Sequence, residues 1–158
     1  MFSHSLIWKR FNSNVRIPNR IYDSDVGYDI YSPHEIMIEP YATRLVNTGL
    51  GVIPPNEFFL KIETRSSLAK EGMIVTGGII DPGFEGPIKV ICCNTTNRPI
   101  YILKGEAIAQ GVITPVVNPS SVEVIDCFDE INFDNGLPIR GNQRGFREFG
   151  SSNSSSNS

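Results

Sequence analysis

Residues 74–94 read Ile74-Val75-Thr76-Gly77-Gly78-Ile79-Ile80-Asp81-Pro82-Gly83-Phe84-Glu85-Gly86-Pro87-Ile88-Lys89-Val90-Ile91-Cys92-Cys93-Asn94. A β-branched run, Ile74–Thr76, is cut by two glycines, and a second run, Ile88–Asn94, follows a Gly-Pro pair. Short runs of this composition between Gly and Pro breaks are strands joined by turns. Between them Ile79 and Ile80 bring one carboxylate, Asp81, to the lip of a Pro-Gly turn, where it faces solvent or a ligand rather than the core.

The same grammar extends in both directions. With 14 Gly and 11 Pro the chain is punctuated too often for long helices, and the intervening stretches are rich in Ile, Val, Phe and Tyr. Predicted strands cover Leu6–Phe11, Tyr28–Ser32, Glu35–Ile38, Thr43–Thr48, Glu57–Glu63, Ile74–Thr76, Ile88–Asn94, Ile100–Leu103, Ala107–Pro115 and Val122–Asp126. Many short strands with turn signals between them predict an all-β barrel or jelly roll. One short helix is expected, opening at Ser66-Ser67, covering Leu68–Glu71 and stopping at Gly72.

At 158 residues the chain is expected to hold one domain. The pattern fails from about Asn132: Asp134-Asn135-Gly136 reads as a turn, and beyond Pro138 only Arg, Gly, polar residues and isolated Phe146 and Phe149 remain. The division expected is a β domain over 1–137, an arm over 138–152, and a disordered Ser/Asn tail over 153–158.

Composition narrows the function classes. Hydrophobic residues at 40% and charged residues at 20% are those of a soluble globular protein, with no apolar run approaching a membrane span. A net charge of −3 argues against sequence-independent nucleic-acid binding, so neither nucleic acid nor membrane is an expected partner. Cys92, Cys93 and Cys127 form neither a metal spacing nor an even disulfide set. They are expected to be reduced, in the cytoplasm, the nucleus or, for a viral protein, the host-cell cytoplasm. Lys9, Arg10, Arg16 and Arg20 precede the first acid, Asp23, as in a transit peptide, yet Leu6–Phe11 reads better as a first strand.

Besides the Asp81 turn, two segments carry chemistry. In Thr64-Arg65-Ser66-Ser67-Leu68-Ala69 a strand ends in a guanidinium and two hydroxyls that open a helix, which is either an anion site or plain N-capping by Ser66 or Ser67. In Arg144-Gly145-Phe146-Arg147-Glu148-Phe149-Gly150-Ser151-Ser152 guanidinium, glycine and aromatic ring alternate, as suits a strip that covers a phosphorylated base, or else a basic tail. Asp81 itself reads as a turn cap or as a base for a well-positioned water. With only two histidines, His4 and His34, both outside these segments, a Ser-His or Cys-His nucleophile has no evident base. No His/Cys spacing suggests zinc, and no Gly-Lys-Ser/Thr marks a phosphate-binding P-loop.

Taken in order, these segments resemble the motifs of the trimeric dUTPase family, from Val26 to Ser152. The first is Gly27-Tyr28-Asp29-Ile30-Tyr31. The second is Arg65-Ser66-Ser67-Leu68-Ala69, with Ser67 where most members have glycine. The third is Gly78 to Gly86, with Phe84 in place of the usual tyrosine. The fourth is Gly105-Glu106-Ala107-Ile108-Ala109-Gln110, lacking the common arginine at Ala107. The fifth runs from Arg144 to Ser152, with Glu148 replacing a glycine.

The resemblance implies a distorted jelly-roll homotrimer with active sites at subunit interfaces, hydrolysing dUTP to dUMP and pyrophosphate. Such an activity limits uracil in DNA and supplies dUMP for dTTP synthesis. It implies that Asp81 aligns the water that attacks the α-phosphorus and that Arg65, Ser66, Ser67 and Gln110 hold phosphates. Gly78, Ile79 and Ile80 would read the base, Phe84 would pack on the deoxyribose, and Arg144, Phe149, Gly150 and Ser151 would close over the substrate. Mg²⁺ is implied on the triphosphate oxygens and waters, with Asp29 near its water shell or else a turn anchor. A hairpin whose backbone pairs with the uracil edge rejects cytosine, because reversed donors and acceptors leave buried groups unpaired at ~1–3 kcal/mol each. Stacking needs a ring and not a phenol, so Phe84 preserves it.

Two other readings stand beside this one. The dCTP deaminases share Arg-Ser-Ser-Leu-Ala and Ile-Asp-Pro-Gly-Phe-Glu-Gly, but the glutamate on which their deamination relies aligns with Ile91, which cannot shuttle protons. An inactive protein-binding module on the same fold would account for the departures at Ser67, Phe84 and Glu148, but gives no reason to keep Asp81 with the phosphate donors.

Overall fold

Ala107–Pro115 (β11), predicted to the residue, is the strand around which the candidate site is built. Its alternation turns Ala109 and Gly111 inward and Gln110 and Val112 outward, as a strand buried on one face requires, while a bulge between Ala107 and Ala109 buries Ile108 as well. In the computed structural model, which describes residues 5–124 and two further short strands at 133–134 and 137–138, β11 is central in a four-stranded sheet. Gly27–Tyr31 (β2) flanks it on one side and Phe58–Glu63 (β6) on the other, with the two-residue strand Ile79–Ile80 (β8) at the edge beyond β6.

Thr43–Asn47 (β4), Lys89–Asn94 (β9) and Met73–Thr76 (β7) form a second antiparallel sheet, with β9 in the middle. Ile7–Arg10 (β1) pairs with Leu50–Ile53 (β5), and Ile36–Ile38 (β3) pairs with Ile100–Ile102 (β10). The inward faces meet in one core that includes Ile30, Ile38, Leu50, Leu60, Met73, Ile88, Ile102 and Ile108. Ser66–Lys70 (α1), a single short helix, links β6 to β7. This is the all-β jelly-roll class that the punctuation of the sequence predicts.

The chain divides into a main unit ending at Asn118 and a second beginning at Pro119. In the latter, Phe133–Asp134 (β12) pairs antiparallel with Leu137–Pro138 (β13), Phe133 opposite Pro138 and Asp134 opposite Leu137. Cys127 and the expected arm, with Arg144, Phe149, Gly150 and Ser151, lie outside the described residues, as does the Ser/Asn tail. No helix among the described residues is long and apolar enough to cross a membrane.

Three expectations need correction. Leu50–Ile53 is a strand that the sequence conceals, since Gly49, Gly51 and the Pro54-Pro55 pair read as loop although Leu50 and Val52 are buried. Val122–Val124, the described part of a predicted strand, has no ladder partner, and both valines are exposed. Alternation alone cannot make a strand without a free edge beside it. The N-cap of α1 is Arg65, with no side-chain capping bond, so neither Ser66 nor Ser67 caps the helix.

Two buried side chains of β9 shape the second sheet. Asn94, at the end of β9, donates from Nδ2 to the carbonyls of Ile38, Glu39 and Arg98 at 3.1, 3.1 and 2.7 Å. Its Oδ1 accepts from Thr96 N–H at 2.9 Å and Thr96 Oγ1 at 2.8 Å. This one amide binds the end of β9 to β3 and to the turn that follows.

Cys92 points inward from the same strand, where burial first and the Cys93 thiol second raise its pKa from an ordinary 9.0 to about 11. The thiol is an acid held protonated by folding. Its contribution to stability is therefore complete below the unfolded value and is lost as pH rises from 9.0 toward about 11, because the unfolded state then binds fewer protons. Thermal melts across that window are expected to fall more steeply for the wild type than for Cys92→Ala, and equal slopes would assign the loss to other groups.

Candidate active site

The outward face of the four-stranded sheet carries polar residues in register. Asp29 on β2 stands opposite Gln110 on β11, which stands opposite Glu63 on β6. One row along, Val112 faces Lys61, and Lys61 faces Ile79 on β8. Directly opposed residues share a face, so the ladder brings Asp29 and Gln110 together although they are far apart in sequence.

Arg65 stands two residues beyond the end of β6, after Thr64, and its guanidinium folds back over this face. Nε lies 3.0 Å from Asp29 Oδ1, Nη2 lies 3.4 Å from Oδ2, and Nη1 reaches toward the Ala107 carbonyl at 3.5 Å. A fork fixed on a carboxylate in this way is a pre-oriented cation. Gln110 Nε2 donates to the Thr64 carbonyl at 3.1 Å, while Thr64 Oγ1 accepts from Val75 N–H at 2.8 Å. These bonds anchor the turn between β6 and α1 from two sides. Ser66 and Ser67 are exposed in the first turn of α1.

Asp29, Arg65, Ser66, Ser67 and Gln110 line one cavity of about 280 Å³. Ile21, Asp25, Val26 and Gly27 also line it. Of these, Ile21, Asp25 and Val26 lie in an irregular segment to which no role is assigned from the sequence. That segment is held along β2 by the Asp29 N–H to Asn19 carbonyl bond at 2.9 Å and by Arg16 stacked 3.7 Å above the Tyr31 ring. The signal available was the placement of three acids, Asp23, Asp25 and Asp29, among Arg16, Arg20 and Tyr28. A second hollow of about 320 Å³, bordered by His34, Met37 and Arg44, contains none of the expected residues, and its Arg44 is ion-paired with Glu39.

Gly78, Ile79, Ile80, Asp81 and Phe84 form a separate feature and do not line the first cavity. Ile80 pairs with Leu60 and Ile79 with Lys61, so the hairpin rides on the edge of the sheet. The turn Asp81-Pro82-Gly83-Phe84 is closed by its main chain, Phe84 N–H donating to the Asp81 carbonyl at 3.0 Å. Capping is thus met without the Asp81 side chain, which is exposed. The Phe84 ring, 44% exposed, folds back over Gly86. Ile91 points outward from β9, half-buried.

The chemistry these two features offer is complementary. The cavity presents a guanidinium, two hydroxyls and an amide, the groups that bind phosphate oxygens. The turn presents a carboxylate beside backbone groups and a ring. Among the described residues no cluster of three or more His, Cys, Asp or Glu is arranged to hold a metal ion.

Comparison with known proteins gives the same assignment. The dUTPase family profile matches residues 13–138. A deoxyuridine 5'-triphosphate nucleotidohydrolase of Tropheryma whipplei (strain Twist) is 36% identical over 139 residues, spanning 85% of this chain and 87% of its own length. The solved EIAV dUTPase superposes with a TM-score of 0.68 at 29% identity, over 78% of this chain and 98% of that one. A mutant dUTPase from phage phi11 of S. aureus, solved to describe the coordination of a structural Mg(II) ion, superposes at 0.71 over 78% of this chain and 98% of its own, at 22% identity. With the profile covering most of the sequence, and Asp29, Arg65, Ser66, Ser67 and Gln110 gathered at one cavity, the chain belongs to the dUTPase family.

Proposed function

We propose that the protein hydrolyses dUTP to dUMP and pyrophosphate. The observation that carries the proposal is the Arg65 guanidinium, oriented by Asp29 at a cavity shared with Ser66, Ser67 and Gln110. In the reaction, water attacks the α-phosphorus, the bond from that phosphorus to the bridging oxygen breaks, and pyrophosphate leaves with the negative charge. Asp81 aligns the water and takes its proton as the new bond forms. Arg65, the two serines and Gln110 bind phosphate oxygens and draw off charge as it develops on the leaving group. The backbone of Gly78, Ile79 and Ile80 reads the uracil edge, and Phe84 excludes a ribose 2′-hydroxyl by filling its place.

Mg²⁺ fits this donor set as a passenger of the substrate. The carboxylate best placed to touch it, Asp29, is already paired with Arg65, so the ion would rest on triphosphate oxygens and water, where it neutralises phosphate charge. Arg144, Phe149, Gly150 and Ser151, which the family resemblance implies as substrate-closing residues, offer by composition a further guanidinium, a ring and small polar residues.

The separation of the phosphate cavity from the Asp81 turn supports a second element of the proposal: one chain's turn meets another chain's cavity, in a homotrimer. Sedimentation coupled to pyrophosphate release tests both elements together. Activity with dUTP is expected to travel with the trimer, and a fully active monomer would refute the shared site. Incubation with dCTP is expected to release no ammonia, since Ile91 offers no proton carrier where a deaminase needs one.

A further inference from the structure

Two glycines root the hairpin that carries Ile79, Ile80 and Asp81, and the fold holds them by different means. Gly78 is fixed by its main chain: its carbonyl accepts Ile62 N–H at 2.7 Å, and a Cβ there would fall 2.1 Å from the Ile62 carbonyl oxygen. Gly77 sits in the left-handed region at φ +62, where a residue without a side chain has the widest backbone freedom. Apart from its chain neighbours, one atom alone lies within 4 Å of its Cβ position, Ile91 Cδ1 at 3.0 Å.

The sheet register explains this contact. Ile91 on β9 is paired with Thr76, the last residue of β7 and the one just before Gly77. Its neighbours Val90 and Cys92 point into the core, whereas Ile91 lies on the opposite face, half-buried. A large branched side chain outside the core thus rests its terminal methyl on the hinge of the hairpin.

We infer that Ile91 is a positioning residue for base recognition, its δ-methyl holding Gly77 in one left-handed turn so that the backbone of Gly78–Ile80 is presented in a single geometry. The inference rests on the proposal that this hairpin meets the base of dUTP. A hairpin loosened at Gly77 must be ordered at the moment of binding, which weakens substrate affinity and blurs the distinction between uracil and cytosine. The chemical step is insulated, because the Asp81–Phe84 turn closes through its own hydrogen bond and Ile80 stays paired with Leu60.

Ile91→Val removes the δ-methyl and little else, while Ile91→Met restores reach to the same point. The valine variant is expected to raise KM for dUTP by about 3- to 10-fold with kcat within about twofold of wild type, and to lower the dUTP over dCTP preference in kcat/KM by a similar factor. The methionine variant is expected to bring KM back to within about twofold. An unchanged KM in the valine variant overturns the inference, as does a fall in kcat that tracks a fall in melting temperature, since that is the signature of a merely structural side chain. Wild-type protein that releases no pyrophosphate from dUTP sinks the proposed function and this inference together. Wild-type activity with an indifferent valine variant sinks the inference alone.

Discussion

Asp81→Asn is expected to lower turnover of dUTP by about 10²–10⁴-fold while binding a nonhydrolysable dUTP analogue nearly as well as wild type. The substitution is close in shape, so it leaves the Pro82-Gly83 turn intact: that turn is closed by Phe84 N–H on the Asp81 carbonyl, a main-chain bond that asparagine keeps. What it removes is the group that accepts a proton from the attacking water. The loss should therefore fall on kcat, with analogue affinity measured by titration as the control. Glu85, the other acid near the turn, serves as a second check: if Asp81→Asn stays within a few-fold of wild type while Glu85→Gln does not, the base is the neighbour.

Arg65→Ala is expected to cost about 10²-fold in kcat/KM, mostly through KM, since hydrogen bonds to charged groups contribute ~1.5–3 kcal/mol. Arg65→Lys separates charge from geometry. Lysine keeps the positive charge but cannot span both oxygens of Asp29 and also turn a fixed edge to a phosphate, so recovery should be partial. Removing Arg65 also leaves Asp29, only 16% exposed in its side chain, without its cation, and some loss of stability is expected with it. The two effects are distinguished by measuring melting temperature alongside kinetics. If substrate at saturation restores wild-type turnover, Arg65 serves binding; if melting falls and kinetics per folded molecule do not, its role is to anchor Asp29.

Much of this architecture was legible in the sequence because local chemistry and global fold agree. β11 was readable to its ends because Gly105-Glu106 precedes it and Pro115 closes it. The turn at Asp81 was readable because Pro-Gly follows a β-branched pair. Other features were hidden for identifiable reasons. Leu50–Ile53 is strand by partnership with β1, not by composition, and its glycines mask it. Val122–Val124 has the composition of a strand and lacks the partner. Asp29, Arg65 and Gln110 could each be proposed by resemblance, but their meeting in one cavity is a product of the β2–β11–β6 ladder, which no local pattern encodes. Ile21, Asp25 and Val26 were missed because an irregular segment has no periodicity to read, and its placement depends on backbone and ring contacts with β2.

The buried amide of Asn94 has a consequence for how this protein ages. Spontaneous loss of ammonia turns asparagine into aspartate, and on most surfaces that adds one tolerated charge. At Asn94 it would replace a donor by an acceptor facing the carbonyl oxygens of Ile38, Glu39 and Arg98, with almost no solvent to relieve the repulsion. The lesion would unfasten the end of β9 from β3 instead of merely shifting the isoelectric point. Stored protein should accordingly lose its altered molecules by unfolding, so that the folded fraction remains chemically young at this position.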